Sequence, residues 1–244
     1  MSEPRTAIVT GAGKRVGAGI AHALLSDGWQ VVAHVHHDSD DVPEGAAKAV
    51  ADLSQPDCAQ RIFAAASDLP PVRLLINNAA RFAHDGFGAF SSEELARHTA
   101  VNVAAPALLI DRFAQSQDGS ADALVVNVLD SKLAAPNPDY LSYTLSKQAL
   151  AGLTDLAARA LAMKRIRVNG IAPGLMLRSS GQSDENFRKM HADNPLGRGV
   201  TVEDLVGAIR YLIDAPCVTG QVLVIDSGQR FMALDRDVQF LGDQ

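Results

Sequence analysis

Thr6-Ala7-Ile8-Val9-Thr10-Gly11-Ala12-Gly13-Lys14-Arg15-Val16-Gly17 is the stretch that decides the fold. A short β-branched run ends in a glycine-rich turn, and a helical stretch follows from Arg15 to about Asp27. A strand that passes through such a turn into a helix aims free N–H groups and the positive helix end at one point, and glycines let a pyrophosphate come close. The reading is a dinucleotide site with Gly11 and Val16 in the turn and Lys14 and Arg15 as its cations. The spacing departs from G-x-G-x-x-G because Arg15 stands where a glycine is expected, and a guanidinium there can grip phosphate in two places. The plainer alternative is a tight turn whose glycines serve packing alone.

Working outward, the same alternation repeats. Strands are predicted at Ala7–Thr10, Gln30–His34, Ala47–Ala51, Leu74–Asn77, Ala123–Val128, Arg167–Ala172 and Gln221–Ile225. Helices are predicted at Arg15–Asp27, Asp57–Ser67, Ser91–Gln115, Tyr140–Ala162 and Val202–Asp214. Strands that are apolar almost throughout need cover on both faces. The pattern therefore predicts an α/β fold, a single doubly wound parallel sheet of seven strands flanked by helices. Between His36 and Ala46, Pro43 and Gly45 leave no room for a crossover helix, so a loop is expected there. No linker or repeat divides the chain, and one domain over 1–244 is expected, with 175–200 as a polar loop or lid within it. The tail after Gly228 has no clear period.

Composition narrows the function. With 22 Lys+Arg against 28 Asp+Glu and a net charge of −6, nothing favours nucleic acid or an anionic membrane. Cys58 and Cys217 are too few for a disulfide framework, and no targeting or membrane-spanning stretch is seen, so a soluble cytoplasmic protein is expected. No metal site is implied.

Two further clusters carry chemistry. The second strand ends Ala33-His34-Val35-His36-His37-Asp38, with Val35 where an acid would accept the adenosine ribose hydroxyls. His36 and His37, with Lys14, can meet a 2′-phosphate, which favours NADP over NAD; Asp38 or Asp40 turning inward would argue the reverse. Asp52, followed by Leu53, can accept from an adenine amino group. Tyr143 and Lys147 lie four apart on one predicted helix face, so a phenol and an ammonium can lean together, the cation lowering the phenol's pKa.

With Asn77-Asn78-Ala79 after the fourth strand, Asn102, and Pro173-Gly174 after the sixth, these motifs resemble the short-chain dehydrogenase/reductase family from Thr6 to Gly228. The resemblance implies a Rossmann-like fold, with Tyr143 as proton donor and Lys147 holding the nicotinamide ribose. It implies a water relay at Asn102, cofactor contacts from Asn78, Ala79, Pro173 and Gly174, and a substrate-closing segment from Leu175. Most members carry a serine thirteen residues before the tyrosine; here Asp130 stands there. A carboxylate cannot donate to a carbonyl oxygen unless protonated, and beside a phenol it raises the phenol's pKa or shares its proton. Asp130, Tyr143 and Lys147 together with T-G-x-x-x-R-x-G resemble the pteridine reductases, a likeness that gives Arg15 a bridge between phosphate and substrate and Phe82 a stacking role on a pterin ring. Ala80 departs from that subgroup's serine. The expectation is an NADPH-dependent reductase of a C=N bond in a dihydropteridine. The alternatives are a carbonyl reductase with an altered acid centre and a non-catalytic NADP-binding sensor. Family likeness further implies a homotetramer.

Overall fold

Seven parallel strands form where β-branched runs predict them. The computed structural model describes residues 3–179 and 181–241. The strands are β1 (Thr6–Val9), β2 (Gln30–Val35), β3 (Ala47–Val50), β4 (Val72–Asn77), β5 (Ala123–Val128), β6 (Ile166–Pro173) and β7 (Val222–Ile225), joined in the order β3-β2-β1-β4-β5-β6-β7. The helices are α1 (Arg15–Ser26), α2 (Cys58–Ala64), α3 (Ser92–Thr99), α4 (Ala105–Gln115), α5 (Leu141–Leu161), α6 (Asp184–Ala192) and α7 (Val202–Asp214). The fold is the doubly wound, Rossmann-like sheet that the alternation of runs implies.

Alternate residues of each strand face opposite ways, so the sheet builds two cores. Ile8, Val32, Leu75 and Val125 pack with Ile62 of α2 and with Leu109 and Phe113 of α4. Val9, Val31, Leu74 and Ile76 pack with Ile20 and Leu24 of α1 and with Leu205 and Ile209 of α7. Every residue of β1 and β5 is buried, which is why those runs read as continuously apolar rather than alternating. The order reverses at β1, and β1 and β4 diverge into their separate loops there. That opens a crevice at their carboxyl ends, where ligands of such sheets bind.

The β2–β3 connection carries no helix; Ala46 N donates to Pro43 O at 3.0 Å in a turn. Two helical readings are corrected. The single helix expected over Ser91–Gln115 is α3 and α4 joined by a five-residue π-helical turn, Ala100–Ala104. Pro106 sits in the first turn of α4 and lacks the N–H that an α-helix would return to the carbonyl of Asn102. The polar stretch expected to be loop from 178 to 199 contains α6, whose start is capped by Ser183 Oγ accepting from Asn186 N at 3.1 Å.

Phe113 is fully buried between α4 and the sheet. Phe113→Ala is expected to cost about 3–5 kcal/mol of stability, read as a lower urea midpoint at unchanged slope. A loss under about 1 kcal/mol would contradict this packing.

Candidate active site

A cleft of about 1050 Å³ runs along the carboxyl ends of the strands from the His36–Asp52 region to Tyr143 and on to the C-terminal segment. Its floor is fixed by β1 and β4. Thr10 Oγ1 accepts from Asn78 N and Ala79 N, both at 3.0 Å, while Asn78 Nδ2 donates to Thr10 O at 2.9 Å. The predicted Asn78 thus ties two strand ends together, and Ala79 lines the cleft beside it.

The glycine turn has little room for side chains. A Cβ on Gly17 would lie 2.1 Å from Gly11 O, and Gly11 itself has φ +65°. Lys14 precedes α1 without capping it, and no acid stands in the helix's first turn, so its positive end is open to an anion. Arg15 takes a left-handed φ of 53° and its guanidinium donates to Arg178 O at 2.7 Å, which joins the turn to the segment after β6.

A residue that sequence reading missed holds this turn from behind. His34, buried in β2, accepts from Gly11 N at Nδ1 (3.1 Å) and meets Ala51 O with Nε2 (3.0 Å). An N–H donor at one nitrogen and a carbonyl at the other fit the neutral Nε2–H tautomer. Burial lowers the pKa of this imidazole. Its strand period marks it only as one more residue of β2; both partners come from other segments.

At the far end His36, His37, Asp52 and Leu53 all line the cleft, as does Lys14. His36 Nδ1 lies 4.0 Å from Asp52 Oδ1. Asp40 Oδ2 accepts from His37 N at 3.0 Å, and Asp52 Oδ1 accepts from Ser54 N at 2.8 Å, which lowers the Asp52 pKa. Val35 closes β2, so no carboxylate ends that strand.

At the other end β5 and α5 bring the chemical groups together. Tyr143 Oη donates to Asp130 Oδ2 at 2.9 Å, and Asp130 Oδ1 accepts from Lys132 N at 2.8 Å. Lys147 Nζ donates to Val128 O at 2.6 Å and lies 5.6 Å from the centre of the Tyr143 ring. Tyr143 is 7% and Lys147 3% exposed. Burial, then the Asp130 charge, pushes the phenol well above its ordinary pKa, opposite to the lowering that a Tyr/Lys pair by itself suggests. Burial likewise raises Asp130 and lowers Lys147 to about 8.

The start of α5 is set from outside. Asp85, also missed in the sequence, accepts from Ser142 N at 2.9 Å and from Ser142 Oγ, giving the catalytic-type helix a cap that its own Tyr140 does not supply. Phe82 is 42% exposed, stacks on Tyr140 (4.2 Å between ring centres) and meets Tyr143 edge-on at 4.7 Å. Pro173, Gly174 and Leu175 line the cleft, with Gly174 N bonded to Ile225 O and Leu175 N to Gln229 Oε1. Asn102 is different from the rest. Its side chain lies fully buried behind the cleft, accepting from Arg81 N (2.7 Å) and donating to Arg81 O and Ser146 Oγ, so it braces the Arg81 loop against α5.

Comparison with known proteins places this arrangement. Residues 11–230 match the family model described as enoyl-(acyl carrier protein) reductase, one of those for short-chain reductases. The chain belongs to the short-chain dehydrogenase/reductase family and is an oxidoreductase. Pteridine reductase 1 of Leishmania tarentolae is 29% identical over 91% of this chain and 95% of its own length. Dihydromonapterin reductase of Klebsiella pneumoniae is 28% identical over 93% and 97%. The crystal structure of FolM alternative dihydrofolate reductase 1 from Brucella suis, in complex with NADP, superposes with a TM-score of 0.87 at 33% identity, covering 95% and 97%.

His34 yields a pH signature. The unfolded chain binds its proton near the ordinary 6.5 and the folded chain only at lower pH. Stability therefore rises with pH across that window and is lost on acidification below 6.5, at up to about 1.4 kcal/mol per pH unit. His34→Asn, which keeps an acceptor for Gly11 but cannot titrate, should show a flatter fall in Tm between pH 7 and 5. Equal slopes in the two proteins would refute the buried neutral imidazole.

Proposed function

We propose that this chain is an NADPH-dependent reductase of a C=N bond in a dihydropteridine. The observation that carries the reading is the Tyr143–Asp130 hydrogen bond, a phenol and a carboxyl paired in a buried cleft where most of the family has a serine. Pterin and folate reductases among the relatives support it.

The residues fit a nicotinamide nucleotide. The uncapped positive end of α1 with Lys14, Arg15 and Val16 takes the pyrophosphate, and Arg15 reaches from it toward substrate. Lys14, His36 and His37 suit a 2′-phosphate, since no carboxylate closes β2 and that of Asp40, which also lines the cleft, accepts from His37 N, while Asp52 and Leu53 receive the adenine. Lys147 spends one of its three N–H groups on Val128 and offers the others to the ribose hydroxyls beside Ala79, Pro173 and Gly174. Bound NADPH supplies the hydride, two electrons delivered to the ring carbon of the C=N bond.

The chain's own part is orientation and a proton. Phe82 offers its outer face to the flat ring, and Leu175 begins a lid over 175–200 that includes α6. Tyr143 gives its proton to the ring nitrogen, and Asp130, which accepts from the phenol and is raised by burial, takes up a proton from solvent and returns it to the phenolate. Asn102 acts through position, by bracing Arg81 and Ser146. We further read the assembly as a homotetramer in the cytoplasm, in keeping with the family.

Purified protein should oxidise NADPH in the presence of a 7,8-dihydropterin, and Tyr143→Phe should lose about 10²–10⁴-fold in kcat. Reduction consumes a proton, so kcat/KM should be full at low pH and fall as pH rises, with a step as Lys147 discharges near 8. Asp130→Asn removes a charge that raises the Lys147 pKa, so that step should move to lower pH. Turnover of ketones with none of any dihydropterin would overturn the assignment.

A further inference from the structure

The segment after β7 folds back over its own cleft and is tied there by contacts that the proposed chemistry does not use. The Arg236 guanidinium forks onto Asp139 at 2.8 and 2.9 Å, and Asp237 N donates to Asp139 Oδ2 at 2.8 Å. Lys132 Nζ meets Asp237 Oδ2 at 2.6 Å, with the two side chains only 11% and 10% exposed. Tyr140 Oη donates to Gln239, and the Phe240 ring packs edge-on against His84 at 5.1 Å and beside Tyr140. Asn186 of α6 donates to Leu241 O, so the same segment reaches the expected lid. Leu234, Asp237 and Val238 line the cleft that also holds Asp130, Tyr143 and Phe82.

We propose that residues 234–241 form a specificity wall that admits dihydropteridines with a short hydroxylated substituent and turns away those with a p-aminobenzoylglutamate arm. This rests on the dihydropteridine reading of the cleft. Two arguments support it, one of space and one of charge.

The space argument is that the wall is anchored to three separate parts of the rim: the 132–140 loop, the His84 loop and α6. An aromatic amide arm that leaves the ring on the side of Leu234, Asp237 and Val238 has to push that wall outward, and Phe240 and the Arg236–Asp139 fork hold it from behind the cleft. Each is a packed or charge-assisted contact whose loss is unfavourable. A three-carbon chain need not pass it.

Lys132, Asn137 and Asp237 line the cleft together, and the ammonium is already neutralised by the carboxylate. Hydroxyls both donate and accept, so they can join such a pair without breaking it. A glutamate tail brings two carboxylates to a place where Asp139 and Asp237 already hold Arg236 and Lys132. Taking either cation would leave a buried carboxylate without its partner. Lys132 also carries the backbone N–H that holds Asp130, so the wall borders the acid centre directly.

The test is kcat/KM for the full-length chain with NADPH and either 7,8-dihydrobiopterin or 7,8-dihydrofolate. The short substrate should be favoured by at least about 100-fold in the native chain. In the double variant Arg236→Ala/Phe240→Ala that ratio should shrink by about 10-fold or more through a gain in dihydrofolate turnover. A chain ending at Ala233 should shrink it further; if that form does not fold by circular dichroism, the double variant decides. A native ratio near one, or a ratio unchanged in the double variant, overturns the wall and leaves the reductase reading in place. Turnover of neither substrate overturns both.

Discussion

A phenol that resists losing its proton lies against a carboxylate that burial makes costly to charge, and the rest of the molecule is organised around keeping them 2.9 Å apart. Neither group comes from the same element. Asp130 follows β5, held by the Lys132 amide, and Tyr143 stands in the first turn of α5, whose start is fixed by Asp85 from a third segment. Desolvation acts on both in the same direction, toward the protonated form. A hydroxyl in place of Asp130 has a proton to donate, whereas a carboxylate only accepts and here takes the phenol's hydrogen bond.

The parallel sheet supplies the frame. Because β1 and β5 are buried on both faces, their ends cannot drift without disturbing two cores, and the groups at their carboxyl ends inherit that rigidity. Thr10 and Asn78 lock the β1 and β4 ends to each other by a closed set of hydrogen bonds. Beside β5, Asn127 accepts from Asn77 and donates to Thr154 of α5, so the helix that bears Tyr143 and Lys147 is pinned to the strand that delivers Asp130.

The strands and the glycine turn were legible because period and turn chemistry are local properties. Asp130 followed only from the family resemblance, while the Tyr143–Lys147 pair beside it was legible from helix spacing. The π-helical turn at Ala100–Ala104 was not, because Ala-Val-Asn-Val-Ala suits an α-helix and a widened turn leaves no mark in apolar spacing. α6 was hidden by its polarity: only Asn186 and Met190 of its nine residues are buried, too little for a stripe. The bracing by Asn102 left no local mark, as its partners Arg81 and Ser146 come from elsewhere in the chain. The tail is the extreme case. Arg236 finds Asp139 across 97 residues, and no pattern within either segment announces the other.

His34 has a consequence beyond its own strand. One ring spans from the amide of Gly11 to the carbonyl of Ala51, so the glycine turn and the loop that begins at Asp52 are joined by a single crosspiece. The two ends of a long ligand's berth are then set at a common spacing before anything arrives. The entropy of aligning them is spent during folding, and association is relieved of that cost.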